Sequence, residues 1–463
     1  MSQLLFFAAA AVSGLFGRVR LPLPPRVRSW SDDRRSIVPY VCGLGIAFIV
    51  HAAAISYAAL TQIPFPTWLL NRPLVPILDT APLFAHTSSR VSVAIEIVSI
   101  VETVLLIGLA FATRRRLLRP AEKLIASALF AAMALYSLFA RGTASADLYA
   151  YVADARLGIA CYAGASSFAS GPFHIVEYFW GHPMIPCAYG PVWIWFVHVF
   201  LGWVPTPQGS IIGLRLLSLV TFLAALKALA RLEVGAMFLL PLALDPALIL
   251  QYVADGHNDF FGIALLLWAR CFAVSGNALL ASLLAACAGA SKVPFLPISM
   301  LTFVDRKNIR VRVGYGMAAL LGGLLISLAF GGPAYLKALG TTAAIYPTSS
   351  LPGGIFLPRV ALTAILVTIG IALSLRRVAW PAAWGFASLG SLFFPWYLAW
   401  GIPYAAIDPD VAWPFLVSLP ILVFSMSTTY SATMLSYPLV AILPVAVILL
   451  YYFCTRGLVR IRA

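Results

Sequence analysis

The feature that most constrains this chain is an alternation: apolar runs long enough to cross a bilayer, separated by short segments rich in arginine. Such runs lie near residues 37–60, 91–113, 121–140, 211–230, 233–252, 259–275, 278–291, 311–331, 358–375, 380–398, 411–428 and 432–454. A helix rises about 1.5 Å per residue, so about 20 apolar residues cover the roughly 30 Å hydrocarbon core. Backbone in lipid must satisfy its own hydrogen bonds, which makes the helix the spanning element for runs of this length. Composition agrees, with 62% hydrophobic and 10% charged residues against about 45–50% and about 25% in soluble domains. The expected fold is an all-α polytopic membrane protein of roughly 11–13 transmembrane helices, with re-entrant or interfacial helices in its outer loops.

The organisation follows from the same pattern. Residues 1–36 read as a short helix and a basic cytoplasmic segment, 37–455 as the transmembrane domain with an outer loop at 142–191, and 456–463 as a basic cytoplasmic tail. The apolar run at 4–16 has no basic residue before it. It lacks the positive start of a secretory signal, and is expected to be retained in or on the membrane.

The net charge is +15, with 26 arginines and five lysines. In a soluble protein that excess would suggest nucleic acid. Here the arginines sit between apolar runs, where positive loops stay cytoplasmic and meet anionic headgroups. Membrane lipids, and not nucleic acid, are the expected partners. Six arginines in residues 18–35, then Arg114, Arg115, Arg116 and Arg119, mark one face as cytoplasmic. Continuing the count places four polar clusters on the opposite, outer face. They are Asp147 with its loop to Pro191, the turn at 254–259, Lys292 with Pro294, and the aromatic segment 394–400. The segment around 189–203 is too short to span and is expected to be re-entrant or interfacial.

Carboxylates are scarce, sixteen in 463 residues, yet Asp147 and Asp154 lie within one short stretch with Arg156. Asp147 reads in two ways. It can be a general base whose proton affinity is raised by apolar walls, or the cap of an amphipathic interfacial helix at 148–160, together with Ser145. Asp154 and Arg156 read as a local salt bridge. His257, Asn258 and Asp259 read as a helix-capping turn, or as groups that orient a hydroxyl or hold a phosphate. With Asp255 they could hold a metal, but no tight three-ligand spacing is visible. Lys292 interrupts an apolar segment, and a cation at a helix centre costs roughly 2.5–3.5 kcal/mol on insertion scales. It reads as a phosphate ligand, or as a side chain snorkelling to the interface.

Other groups are weaker signals. Trp396, Tyr397 and Trp400 also fit an aromatic belt. Glu96 and Glu102 could mark a proton path or pair with arginines of neighbouring helices. Asp408 and Asp410 outline a metal–nucleotide motif on the cytoplasmic side. Cys161 and Cys187 share one outer loop, where an oxidising compartment permits a disulfide.

Taken in order, Asp147-Leu-Tyr-Ala-Tyr151, Pro186 with Tyr189-Gly-Pro191, Gly256-His-Asn-Asp259, Lys292-Val-Pro294 and Pro395-Trp-Tyr-Leu398 resemble a known family. The chain is similar to polyprenyl-phosphomannose-dependent α-mannosyltransferases, multispanning glycosyltransferases of the GT-C type. Among these it looks like the α-(1→6)-mannosyltransferases of bacterial lipoglycan synthesis. The resemblance implies inverting transfer of a hexose from a polyprenyl-phosphate donor to a lipid or glycan acceptor, at the outer face of the cytoplasmic membrane. It implies Asp147 as catalytic base, and Lys292 and Arg156 at the donor phosphate. Tyr151, Asp154, Tyr189, His257, Asn258, Asp259, Trp396 and Tyr397 would contact the substrates. No cofactor or metal is expected, because the lipid-linked sugar is itself a substrate and a cation can serve its single phosphate. Cys161-Tyr-Ala-Gly164 stands where an Asn-Pro-Tyr would be expected, and no long polar C-terminal domain is present. Both departures bear on sugar and acceptor more than on reaction class.

Two rival readings remain. A secondary transporter or flippase would use Glu96, Glu102 and Asp147 as a proton relay. A polymerase or ligase of lipid-linked glycans would favour Arg156 and Arg359 at the phosphates.

Overall fold

A computed structural model describes residues 36–62, 89–113, 117–140, 147–164, 186–303, 308–345 and 399–405, with short pieces at 172–173, 176, 348–351, 355–358 and 368. The expected spans beyond 358, the run at 4–16, the tail at 456–463, and Ser145, Arg359, Trp396, Tyr397, Asp408 and Asp410 lie outside the described residues.

The fold is all-α and polytopic. Three helices come first among the described residues: α1 (Val38–Gln62), α2 (Ser89–Thr113) and α3 (Pro120–Phe139). One carboxylate closes two of their starts. Glu122 accepts from the Arg119 backbone N–H at 2.9 Å and from that of Ile37 at 3.2 Å, so donors orphaned at two helix N-termini share one acceptor. Helix α4 (Asp147–Leu157) runs into a 3₁₀ turn (Gly158–Ala163). The short α5 (Pro191–Leu201) and the long α6 (Pro207–Arg231) follow. Thr206 caps α6 by accepting from Gly209 N–H at 3.2 Å, and Pro207 pre-sets its first turn.

Next come α7 (Ala236–Ala243) and α8 (Pro246–Ile249), the latter continuing as a π turn (Leu250–Ala254). Helices α9 (Asp259–Val274), α10 (Ala278–Gly289), α11 (Phe295–Ser299) and α12 (Ile309–Ile345) complete the main bundle. A two-stranded antiparallel ladder, β1 (Thr348–Leu351) with β2 (Ile355–Pro358), and a last turn, α13 (Ile402–Ala405), end the described chain.

Four helical segments are long and apolar enough to span: Val93–Thr113, Pro120–Phe139, Pro207–Arg231 and Ile309–Thr342. The bent pair Ala236–Ala243 and Pro246–Ala254 makes a fifth candidate. The sequence predicts this last one as a continuous span, but it breaks by 50°. Pro246 has no N–H to continue the ladder, and Asp245 accepts from Ala247 and Leu248 N–H at 2.9 and 3.4 Å. The second half-helix is thereby capped as a new start. Helix α12 breaks at Gly332, whose φ of 60° suits a residue without Cβ, directly before Pro333.

The lipid face is the apolar one. Val93, Ile97, Val101 and Val104 form an exposed stripe on α2, and Leu321, Leu325 and Leu328 do so on α12. Inside, two apolar clusters form. The larger joins α1–α3 to α6–α9; the smaller wraps α4, the 3₁₀ turn and α5 against Leu214 of α6 and Tyr335 of α12.

The smaller cluster overturns the expectation of an amphipathic interfacial helix at 148–160. Every residue from Leu148 to Ala155 is buried. Over these eight residues α4 is enclosed by protein, so none of its faces there needs to be polar; solvent reaches only its ends, at Asp147 and Arg156. Helix α5, at 11 residues, is about 16 Å long and cannot span alone.

Candidate active site

Asp147 is the first residue of α4, where the positive end of the helix dipole favours a carboxylate. Its side chain is about a quarter exposed (27%), while that of His257 beside it is buried. His257 Nδ1 lies 3.8 Å from Asp147 Oδ2. One helical turn after Asp147, Tyr151 is fully buried. Tyr189 donates its hydroxyl to that of Tyr151 at 3.2 Å, and Trp193 and His257 meet the Tyr151 ring edge-on. Burial, aided by Tyr189 and by the Asp147 and Asp259 carboxylates, raises the Tyr151 phenol well above its usual range. Tyr151 is therefore a neutral hydroxyl in the wall of the site.

The 255–258 turn depends on Gly256. Its φ is +65°, and a Cβ there would come within 2.8 Å of Leu148. The turn is pinned from behind by Arg215, which sequence reading missed. Its buried guanidinium donates Nε–H to Ala254 O at 2.7 Å and Nη1–H to Leu138 O at 3.1 Å. The signal was available, because Arg215 is a cation well inside an apolar span, twelve residues before the next one, Lys227.

Lys292 is brought in by backbone pairing. Gly190 N–H donates to Ser291 O at 2.9 Å and Val192 N–H to Ala290 O at 3.2 Å. A Cβ at Gly190 would fall 2.0 Å from Ala290 O, so this Tyr-Gly-Pro segment needs its glycine for close approach. Lys292 Nζ then donates to Asp259 Oδ1 at 2.7 Å and to Asn258 Oδ1 at 3.3 Å. It lies 5.6 Å from the Tyr189 ring centroid and 5.5 Å from that of Trp400. Trp400 Nε1–H donates to the same Asp259 oxygen at 2.6 Å. An ammonium without such a partner would be costly to bury. Asp259 and two aromatic faces compensate it.

Several expectations change here. Neither Asn258 nor Asp259 caps the next helix through its side chain, because both carboxamide and carboxylate turn to Lys292. The carboxylates around His257 diverge as well: Asp255 lies by Arg215, Asp259 by Lys292, and His257 itself by Asp147. They do not converge as a metal site. Arg156 forms no salt bridge with Asp154. Its guanidinium donates to Gly202 O at 2.8 Å and stands over the Phe173 ring, directed toward α5 and away from Lys292.

Asp154 is buried behind the Tyr189 segment and accepts from the Cys187 thiol at 3.3 Å. Burial pushes its carboxyl up to about 7, opposed by hydrogen bonds from Cys187 and Cys161. Cys161 and Cys187 are free thiols, joined through the Cys187 N–H to Cys161 O at 3.1 Å instead of by a sulfur–sulfur bond. Glu102 pairs with His51 at 3.1 Å, both fully buried, where the sequence left open a proton path or an arginine partner.

The apolar helices are those of a multi-pass membrane protein, and the comparison with known families makes it a glycosyltransferase. Residues 40–304, more than half of the chain, match the family model described as alpha-(1->6)-mannopyranosyltransferase, N-terminal domain. The chain belongs to this family, MptA/B, and is a mannosyltransferase-like GT-C protein. No curated protein and no solved structure matches it. Asp147, Tyr151, Tyr189, His257 and Lys292 all fall within the matched residues, whereas Trp400 comes from beyond them.

Proposed function

We propose that the protein transfers mannose from a polyprenyl-phosphate donor to a lipid or glycan acceptor, with inversion, on the outer face of the cytoplasmic membrane. The observation that carries this reading is one turn of chain. His257 approaches Asp147 at 3.8 Å, and the next residue, Asn258, holds Lys292 at 3.3 Å. Consecutive Cα atoms are about 3.8 Å apart, so a carboxylate and a cation are tied to a single rigid support.

That pairing suits the chemistry. The acceptor oxygen bonds to the anomeric carbon as the bond from that carbon to the phosphate oxygen breaks. Asp147 takes the hydroxyl proton, and His257 holds the carboxylate in place. Negative charge grows on the departing phosphate, where Lys292 stabilises it. The sugar passes through an oxocarbenium-like state, which a carboxylate on one side and a cation on the other both favour. Tyr151 and Tyr189 wall the sugar position. Asp259 and Trp400 hold Lys292. The donor carries one phosphate, so Lys292 can supply the charge that a metal supplies to a nucleotide diphosphate.

Membership of a mannosyltransferase family supports an enzyme over the transporter reading. The test is transfer from radiolabelled polyprenyl-phosphate mannose to a membrane lipid extract, using purified protein in proteoliposomes. Wild type should label an extractable glycolipid, and Asp147→Asn should not. Near-normal transfer by a well-folded Asp147→Asn would falsify the base assignment.

A further inference from the structure

Asp154, Cys161 and Cys187 come from two pieces of chain: α4 with the 3₁₀ turn that continues it, and the segment leading into α5. All three are buried, and one ligand atom from each lies within 4.8 Å of the others. We propose that these three side chains form a binding site for a thiophilic divalent cation, zinc in the first place, separate from the Asp147–Lys292 site.

Geometry is the first argument. Zinc binds sulfur at about 2.3 Å and carboxylate oxygen at about 2.0 Å, so a tetrahedral angle separates the two ligand atoms by about 3.5 Å. Cys187 Sγ and Asp154 Oδ2 are 3.3 Å apart.

The second argument is the carboxylate itself. A thiol is a weak donor, and two thiols compensate poorly for burying a carboxyl. A disulfide would compensate worse, because it removes both S–H groups and leaves Asp154 with neither. A cation accounts for the placement of all three groups. Binding displaces the two thiol protons and any proton on the Asp154 carboxyl, with no change of oxidation state. The Tyr189 backbone N–H also donates to Cys187 Sγ at 3.4 Å, the kind of outer hydrogen bond that orients a metal-bound ligand. Through it the cation would fix the segment that carries Tyr189 into the site. Three protein ligands leave a fourth position for water.

The experiment uses the full chain purified in detergent without chelator. Metal content by mass spectrometry should show stoichiometric zinc. Protein stripped with a chelator and titrated with Co²⁺ should develop a thiolate-to-cobalt charge-transfer band. The band should vanish in Cys161→Ser and in Cys187→Ser and weaken in Asp154→Asn. The wild-type titration needs no variant to fold. The proposal is overturned if no metal is retained and no cobalt band forms. It is also overturned if denatured protein yields neither Cys161 nor Cys187 as a reactive thiol and no metal, the signature of a disulfide, or if the band survives either serine variant. None of these readings depends on catalytic activity, so they separate this proposal from the assigned reaction.

Discussion

Two buried pairs in this molecule, each a carboxyl group with a basic side chain, look alike in composition and differ in setting. Lys292–Asp259 and His51–Glu102 each bury a carboxylate completely. The first sits where four pieces of chain meet: Asn258 and Asp259 at the start of α9, Lys292 after α10, Tyr189 before α5, and Trp400 from beyond the matched family region. The second joins just two neighbouring helices, α1 and α2. A buried carboxyl group is common to both, so it cannot by itself mark a reactive site. What distinguishes the first pair is that the chain holding it also holds His257 against Asp147.

That contrast can be broken experimentally. The largest effect is expected at Asp147, whose replacement by Asn should lower the rate constant for transfer by about 10²–10⁴-fold and leave thermal unfolding in detergent nearly unchanged. Its side chain is partly exposed, so little packing is lost.

Lys292→Met should lose transfer and also destabilise the protein by about 3–5 kcal/mol, because Asp259 is then buried without its ammonium. Adding Asp259→Asn should return much of the stability and none of the transfer. A double variant that regained transfer would assign the phosphate contact elsewhere.

Glu102→Gln sharpens the comparison from the other side. It should cost about 1–3 kcal/mol for the weakened buried contact to His51, read as a lower unfolding midpoint. Turnover per folded molecule should stay at the wild-type value. A large fall in turnover would make the two pairs functionally alike and return weight to a proton relay.

Tyr151→Phe is expected to have the smallest effect. It removes the hydrogen bond with Tyr189, worth about 1 kcal/mol, and should shift KM for the donor more than kcat.

Much of the site was legible because a membrane chain tolerates few charges. Against an apolar background Asp147, His257, Asp259 and Lys292 stood out singly, and their order along the chain suggested the family. Arg215 carried the same signal and was missed, since its partners are backbone carbonyls that no side-chain pattern reveals. The break at Asp245–Pro246 was likewise written in the residues, but a span of unbroken apolarity concealed it. Helix α4 was misread for a different reason. Its alternation of alanine with tyrosine and aspartate resembles an interfacial helix, and only the packing of α5, α6 and α12 around it shows that residues 148–155 are buried throughout.

The sequence alone determined the all-helical membrane fold, since apolar runs of spanning length permit nothing else in lipid. It also singled out the residues whose charge had to be accounted for. Only the tertiary structure decided their pairing: Lys292 with Asp259, Asp147 with His257, and Asp154 with two thiols and not with Arg156. The physical reason is that hydrophobicity is a property of each residue, readable in order along the chain. Compensation of a buried charge requires contact within about 3–4 Å, and contacts between residues as far apart as Asp259 and Trp400, separated by 141 positions, exist only once the helices have packed.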